Sequence, residues 1–204
     1  MASHDHDRPM KLCFVTVGAT ASFHLLLQAI LDDRFLAALH EANYTHLLVQ
    51  YGKDSQALFE ELLSKYPPES SSRHGIEIDG FDFNHAGLDR EMRLAQARPD
   101  DGQNGGLIIS HAGSGSILGA LRLGVPLVVV PNTTLKDNHQ VELACELQKQ
   151  GYVIASGHQE VSVAVERAEA LRARMLAWPP VNGANQKRHR TLEQVMSDEL
   201  GFLD

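Results

Sequence analysis

Cysteine is scarce in this chain. There are two in 204 residues, Cys13 in an apolar strand pattern and Cys145 in a helical one. Neither spacing matches a zinc site or a disulfide framework, so the thiols read as those of a protein kept in a reducing compartment. No apolar run reaches the roughly 18 residues of a bilayer-spanning helix. The first ten residues carry charges of both signs and lead into too few apolar positions for a signal peptide. A basic stripe is also missing: 18 Lys and Arg face 26 Asp and Glu, a net charge of −8, which argues against nucleic acid as a partner. The adjacent carboxylates Asp32–Asp33 and Asp100–Asp101 read as a helix face and a loop, so no acid pair is placed for glycoside hydrolysis. His4, Asp5, His6 and Asp7 alternate in an unanchored tail without the fixed geometry a metal requires. His24, His40, His46 and His189 read as helix-surface or strand-edge residues. The expectation is no metal and no cofactor.

What is present is an ordinary globular composition, 43% hydrophobic and 22% charged, enough for one domain with a substantial core. Residues 12–17 are almost continuously apolar, as in a strand buried on both faces of a parallel sheet. A helix is predicted over residues 23–42, a strand over 46–50 and a helix over 55–65. A strand at 76–78 and a short helix at 88–97 follow a Pro- and Ser-rich loop. Residues 98–106 contain no apolar side chain and read as a mobile surface loop. Strands at 107–109, 127–130 and 152–155 then alternate with helices at 116–123, 140–150 and 161–178. The pair Pro179–Pro180 ends the last of these, and another helical segment follows near 192–200. Six strand–helix alternations specify a doubly wound, mostly parallel α/β domain over residues 11–178. A disordered tail at 1–10 and a helical segment at 179–204 flank it. Ligands of such sheets bind beyond the carboxyl ends of the strands, which singles out the loops at 18–22, 51–54, 79–85, 111–116 and 131–139.

The strongest local signal is Ser110-His111-Ala112-Gly113-Ser114-Gly115-Ser116, which leaves a buried strand and opens a helix. Free backbone N–H groups, the positive end of the helix dipole, two glycines and the Ser114 and Ser116 hydroxyls suit a phosphate or diphosphate. The plain alternative is a tight turn with Ser116 as N-cap. The dinucleotide fingerprint fails, because Leu118 stands where its last glycine belongs. The nucleophile elbow fails at both serines, and a Walker lysine is absent. A second loop gathers Asn132, Asn138, His139, Gln140 and Glu142 where a helix begins. Such amides and imidazoles suit a neutral, hydroxyl-rich ligand, but equally an N-cap followed by solvated first-turn residues. Gly18, Ala19 and Thr20 end the first strand and fit either a ligand loop or a simple turn.

Taken in order, 14–20, 110–116, 124–132 and 137–144 resemble the Alg13 family, the UDP-GlcNAc-binding subunits of an N-acetylglucosaminyltransferase of N-glycan assembly. More distantly they resemble the donor-binding half of MurG-type transferases. The resemblance covers residues 11–156 well. It implies a GT-B enzyme split between two chains, in which a membrane-anchored Alg14-like partner holds the acceptor, and a GT-B enzyme needs two domains of about 100–200 residues each. It implies transfer of GlcNAc, with inversion, from UDP-GlcNAc to GlcNAc-diphosphate-dolichol on the cytosolic face of the endoplasmic reticulum. On this resemblance Gly18, Ala19 and Thr20 lie near the transferred sugar, Gly113, Ser114, Gly115 and Ser116 hold the diphosphate, and Asn138, His139 and Gln140 face the sugar. The segment from Phe81 to Phe83 packs by the uracil. His111 and His139 are the candidate general bases that loop position allows, but each has a simpler donor-binding reading, so the base is expected on the partner. Two departures stand out: Gly119 occupies the position of a ribose-binding acid, and residues 98–106 read as an insertion. The apolar face of 191–202 fits either self-packing or docking to the partner. Two other readings of the whole chain remain: a non-catalytic nucleotide-sugar-binding scaffold, and a stand-alone epimerase-like enzyme of the same fold.

Overall fold

The computed structural model describes residues 9–18, 21–98, 103–134 and 139–176. The expected tail up to residue 8 and the segment 179–204 lie outside these residues. Within them, one sheet contains β1 (Leu12–Thr16), β2 (His46–Gln50), β3 (Glu77–Phe81), β4 (Leu107–His111), β5 (Leu127–Val130) and β6 (Ile154–Ala155). All pairings are parallel, in the order β3-β2-β1-β4-β5-β6. The helices are α1 (His24–Ile30), α2 (Asp33–Glu41), α3 (Gln56–Ser64), α4 (Asp89–Arg93), α5 (Ser114–Leu123), α6 (His139–Lys149) and α7 (Val161–Leu176). The doubly wound α/β expectation holds.

The apolar runs explain the two covered faces. Every residue of β1 is buried, and alternate side chains point opposite ways. Cys13 and Val15 join Leu47, Val49, Ile109 and Val128 beneath Leu26, Leu36 and Leu171 of α1, α2 and α7. Leu12 and Phe14 join Ile108, Leu127 and Val129 beneath Met92, Ile117 and Leu147 of α4, α5 and α6. Each such aliphatic side chain contributes about 1.5–3 kcal/mol on leaving water.

Three expectations need correction. The helix predicted over 23–42 is two helices, because the Asp32 carboxylate accepts a hydrogen bond from the Arg34 N–H (3.0 Å) and caps a new start. The third strand begins later than predicted and runs on to Phe81, taking Asp79 and Gly80 into the sheet. The described ends of the 98–106 loop are anchored rather than free. Arg98 and Gln103 exchange backbone bonds of 2.9 and 3.0 Å, and the buried Gln103 amide donates to the Leu94 carbonyl.

At the amino ends of the strands, α7 is fastened by a polar cluster. Glu169 accepts from Lys11 Nζ (3.0 Å), the Tyr44 hydroxyl (2.6 Å) and the Arg172 guanidinium (3.2 Å). Burial works to raise the Glu169 carboxyl, but its bonds from Arg172, Tyr44 and Lys11 outweigh it and hold the pKa below normal. The Lys11 ammonium is pulled down by burial, which the Glu169 bond offsets only in part. The favourable side of the cluster therefore resides in the carboxylate and the Arg172 guanidinium, whose pKa is raised despite its burial. Glu169→Ala should destabilise the domain by about 1–3 kcal/mol at neutral pH, since it removes the shared acceptor while Lys11 keeps the Ala42 carbonyl and Arg172 the Gly106 carbonyl. A depressed carboxyl stabilises above its unfolded value of about 4.3 and loses that contribution as the pH falls through the folded value. Urea unfolding should thus show the variant and the native chain converging in acid; a constant difference down to pH 3 would contradict the cluster.

Candidate functional site

Strand order reverses between β1 and β4, the crevice where doubly wound sheets bind ligands. A cleft of about 590 Å³ lies there. One wall is the β4–α5 turn: His111, Gly113, Ser114, Gly115 and Ser116. Gly113 is the N-cap, with extended backbone (φ −78°, ψ 126°) and no capping side chain. The helix opens two residues earlier than the sequence suggests, with Ser114 rather than Ser116 near its start. The first bond within α5 runs from the Ile117 N–H to the Gly113 carbonyl (3.0 Å). The N–H groups of Ser114, Gly115 and Ser116 are consequently left for an outside acceptor. Among the described lining residues no Lys or Arg appears. The attraction for an anion comes, among the described residues, from the backbone and its dipole, typically about 0.3–1 kcal/mol per charge and up to about 2 in partly buried geometry.

His111 forms the floor. Gly18, at φ +91°, lies flat on its ring, so a Cβ there would stand 2.6 Å from Cε1 and Nε2, and a Cβ on Gly113 would collide with Nε2 as well. Both glycines are required by this close approach. Burial lowers the His111 pKa, an effect the nearby Thr16 main chain offsets only in part, leaving the imidazole neutral at neutral pH. Its Nδ1 is buried with no partner among the described residues.

The opposite wall is the segment after β3. Phe83, Asn84 and His85 line the cleft, as do Asp89 and Met92 of α4. Lys53 Nζ lies 4.5 Å from the Phe83 ring centre, and the His85 ring meets it edge-on. Gln50 also lines the cleft. Sequence reasoning singled out the 79–85 loop without naming Asn84 and His85 in it, and it missed Gln50, Asp89 and Met92.

The remaining candidates are placed elsewhere. Phe81 does not line the cleft: its ring is parallel to that of Phe14, 6.4 Å away, in the second core. Asn132 N–H donates to Gln140 Oε1 (3.1 Å), and the Asn132 amide reaches Ser22 O (3.3 Å) and accepts from Thr134. His139 pairs with Glu142 at 3.7 Å. None of Asn132, His139, Gln140 or Glu142 lines the cleft among the described residues. Ala19, Thr20 and Asn138 lie outside those residues. At Gly119 an added Cβ would meet Met92 Sδ at 3.1 Å, so the thioether packs against this glycine.

Residues 12–175 match the glycosyltransferase family 28 C-terminal domain. The chain belongs to that family. It is similar to the UDP-N-acetylglucosamine transferase subunit ALG13 of Kluyveromyces lactis, with 36% identity over 176 residues, covering 76% of this chain and 84% of that one. The Saccharomyces cerevisiae ALG13 subunit is 34% identical over 157 residues, 70% of this chain and 76% of its own length. The Homo sapiens subunit is 35% identical over 71% of this chain, which corresponds to 11% of the human protein. A solution NMR structure of ALG13 superposes with a TM-score of 0.55 at 29% identity, over 80% of this chain and 85% of that one.

The neutral His111 has a consequence for stability. Because its folded pKa is lowered, the unfolded chain takes up the proton first, and stability falls as the pH drops below about 6.5. Urea unfolding from pH 7.5 to 5 should show the native chain losing stability over this window and His111→Gln losing less. Identical slopes would place the imidazole in solvent.

Proposed function

We propose that this chain is the donor-binding catalytic subunit of an inverting glycosyltransferase. It moves GlcNAc from UDP-GlcNAc to GlcNAc-diphosphate-dolichol in N-glycan precursor assembly. A membrane-anchored Alg14-like subunit supplies the acceptor site and recruits the chain from the cytoplasm to the cytosolic face of the endoplasmic reticulum. The observation that carries the reading is the start of α5, where three unpartnered backbone N–H groups meet the crossover cleft in a chain similar to UDP-N-acetylglucosamine transferase subunits. Breaking the bond from the sugar C1 to the diphosphate oxygen leaves negative charge on UDP. Preorganised N–H donors in a fixed turn stabilise that charge without reorganising. The acceptor hydroxyl forms the new bond to C1 from the opposite face and gives its proton to a base. On this chain His111 lines the cleft and His139 does not; the base is assigned to the partner.

A second reading, a nucleotide-sugar-binding scaffold without transfer, is favoured by Met92 standing where Gly119 leaves room. The two separate in an assay of GlcNAc transfer to a lipid diphosphate acceptor. Transfer by the co-expressed pair and none by either chain alone supports the subunit; donor binding without transfer in both preparations supports the scaffold; conversion of UDP-GlcNAc by the isolated chain without acceptor overturns both.

Gly115→Asp tests the cradle. A Cβ at Gly115 meets nothing within 4 Å, and an acid in the first turn of a helix is favourable, so the variant should melt at or above the native temperature. Its carboxylate faces the diphosphate, and UDP-GlcNAc affinity should fall about a hundredfold, since two like charges near 4 Å repel by several kcal/mol at an effective dielectric of about 20. Native affinity in a folded variant would remove the diphosphate from this turn.

A further inference from the structure

Gln50 is an amide where the pattern of the sheet calls for an aliphatic side chain. It ends β2, between Thr16 of β1 and Phe81 of β3, and is 1% exposed. A buried amide is costly unless its hydrogen-bonding capacity is filled, and here all of it is. Oε1 accepts from the Thr16 hydroxyl (2.7 Å) and from the Gly18 N–H (3.3 Å). Nε2 donates to the Gly18 carbonyl (3.2 Å) and the Asp82 carbonyl (2.8 Å). The Gly18 N–H is a fixed donor and the two carbonyls are fixed acceptors, so the amide has one orientation.

Three of these four bonds leave the strands and reach the two turns that wall the cleft. Gly18 is gripped on both its N–H and its carbonyl, at the conformation that lays it against His111. Asp82 is gripped just before Phe83; its carbonyl also takes the Gly52 N–H (3.1 Å) and its carboxylate the Phe83 N–H (2.6 Å). We infer that Gln50 is a positioning residue of the cleft, its single amide setting the Gly18 turn on His111 and the Phe83 wall at a fixed span from the α5 cradle. It acts through these turns, and the inference rests on reading the cleft as the donor site.

Two substitutions in the full chain test it. Gln50→Met keeps length and apolar bulk but makes none of the four bonds. Gln50→Glu keeps the acceptor facing Thr16 and Gly18 but, when ionised, turns an oxygen toward two carbonyls; protonated, it regains one donor. UDP and UDP-GlcNAc are the titrants, and NMR resonances of the Gly18 amide and the His111 ring report the turn without ligand. Gln50→Met should weaken UDP-GlcNAc binding at least about tenfold, the scale set by a displacement of ångström size, and shift the Gly18 and His111 resonances. For Gln50→Glu the affinity relative to the native chain should recover as the pH is lowered, while the Gln50→Met ratio stays flat. Should Gln50→Met not fold, the Gln50→Glu pH profile still decides. Unmoved Gly18 and His111 resonances, with or without lost affinity, overturn the positioning role, as does native affinity in Gln50→Met. If the native chain binds neither titrant, the donor-site reading fails, and shifted resonances then leave Gln50 as a clamp of two turns and overturn its role toward the donor.

Discussion

Parallel pairing of every described strand is the constraint on which the site depends. It forces each connection to travel back along a helix, and it sends the turns after all strands to one end of the molecule. With β1 in the middle of the sheet, the chain winds out to β3 on one side and then crosses to β4 on the other. The turn after β1 and the turn after β4 therefore lie side by side, and nothing in either sequence segment alone brings them together. Gly18 resting on the His111 ring is the contact that results.

Among the described residues the cleft is lined by few ionisable groups. A cationic side chain in such a place attracts any anion and must be desolvated to do so. Backbone N–H groups at a helix start carry smaller partial charges in a fixed array, and the neutral His111 adds polarity without charge. Selectivity then comes from shape: the β4–α5 turn on one side, the Phe83 wall on the other, and one amide holding part of the frame.

Much of the fold could be read from residue order because burial writes itself into composition. The five buried residues of β1 and the four of β5 stand out as apolar runs. The start of α5 could be read as a turn-to-helix junction, but its first residue could not. Ser116 has the chemistry of a cap, yet Gly113 takes the place through backbone conformation, which leaves the serines inside the helix. Asp32 shows the opposite case, a carboxylate with the look of a helix surface that ends one helix and begins another. Gln50 was illegible for a different reason. Three of its four bonds run to main-chain atoms of residues 18 and 82, which leave no mark in the sequence, and the fourth, from the Thr16 hydroxyl, is set by strand register.

The cluster around Glu169 joins the first strand to the last described helix at the end of the sheet away from the cleft. Lys11 and Glu169 are 158 residues apart. A ribosome adding about 5–20 residues per second makes the second partner roughly 8–32 s after the first. Throughout that interval β1 has neighbours to pair with as they emerge, but its Lys11 has no carboxylate to neutralise it. The domain is thus sealed by its own late synthesis. A chain cut short before α7 would leave Lys11 without its carboxylate and part of an apolar sheet face uncovered, and transiently exposed apolar surface of that kind is what aggregates.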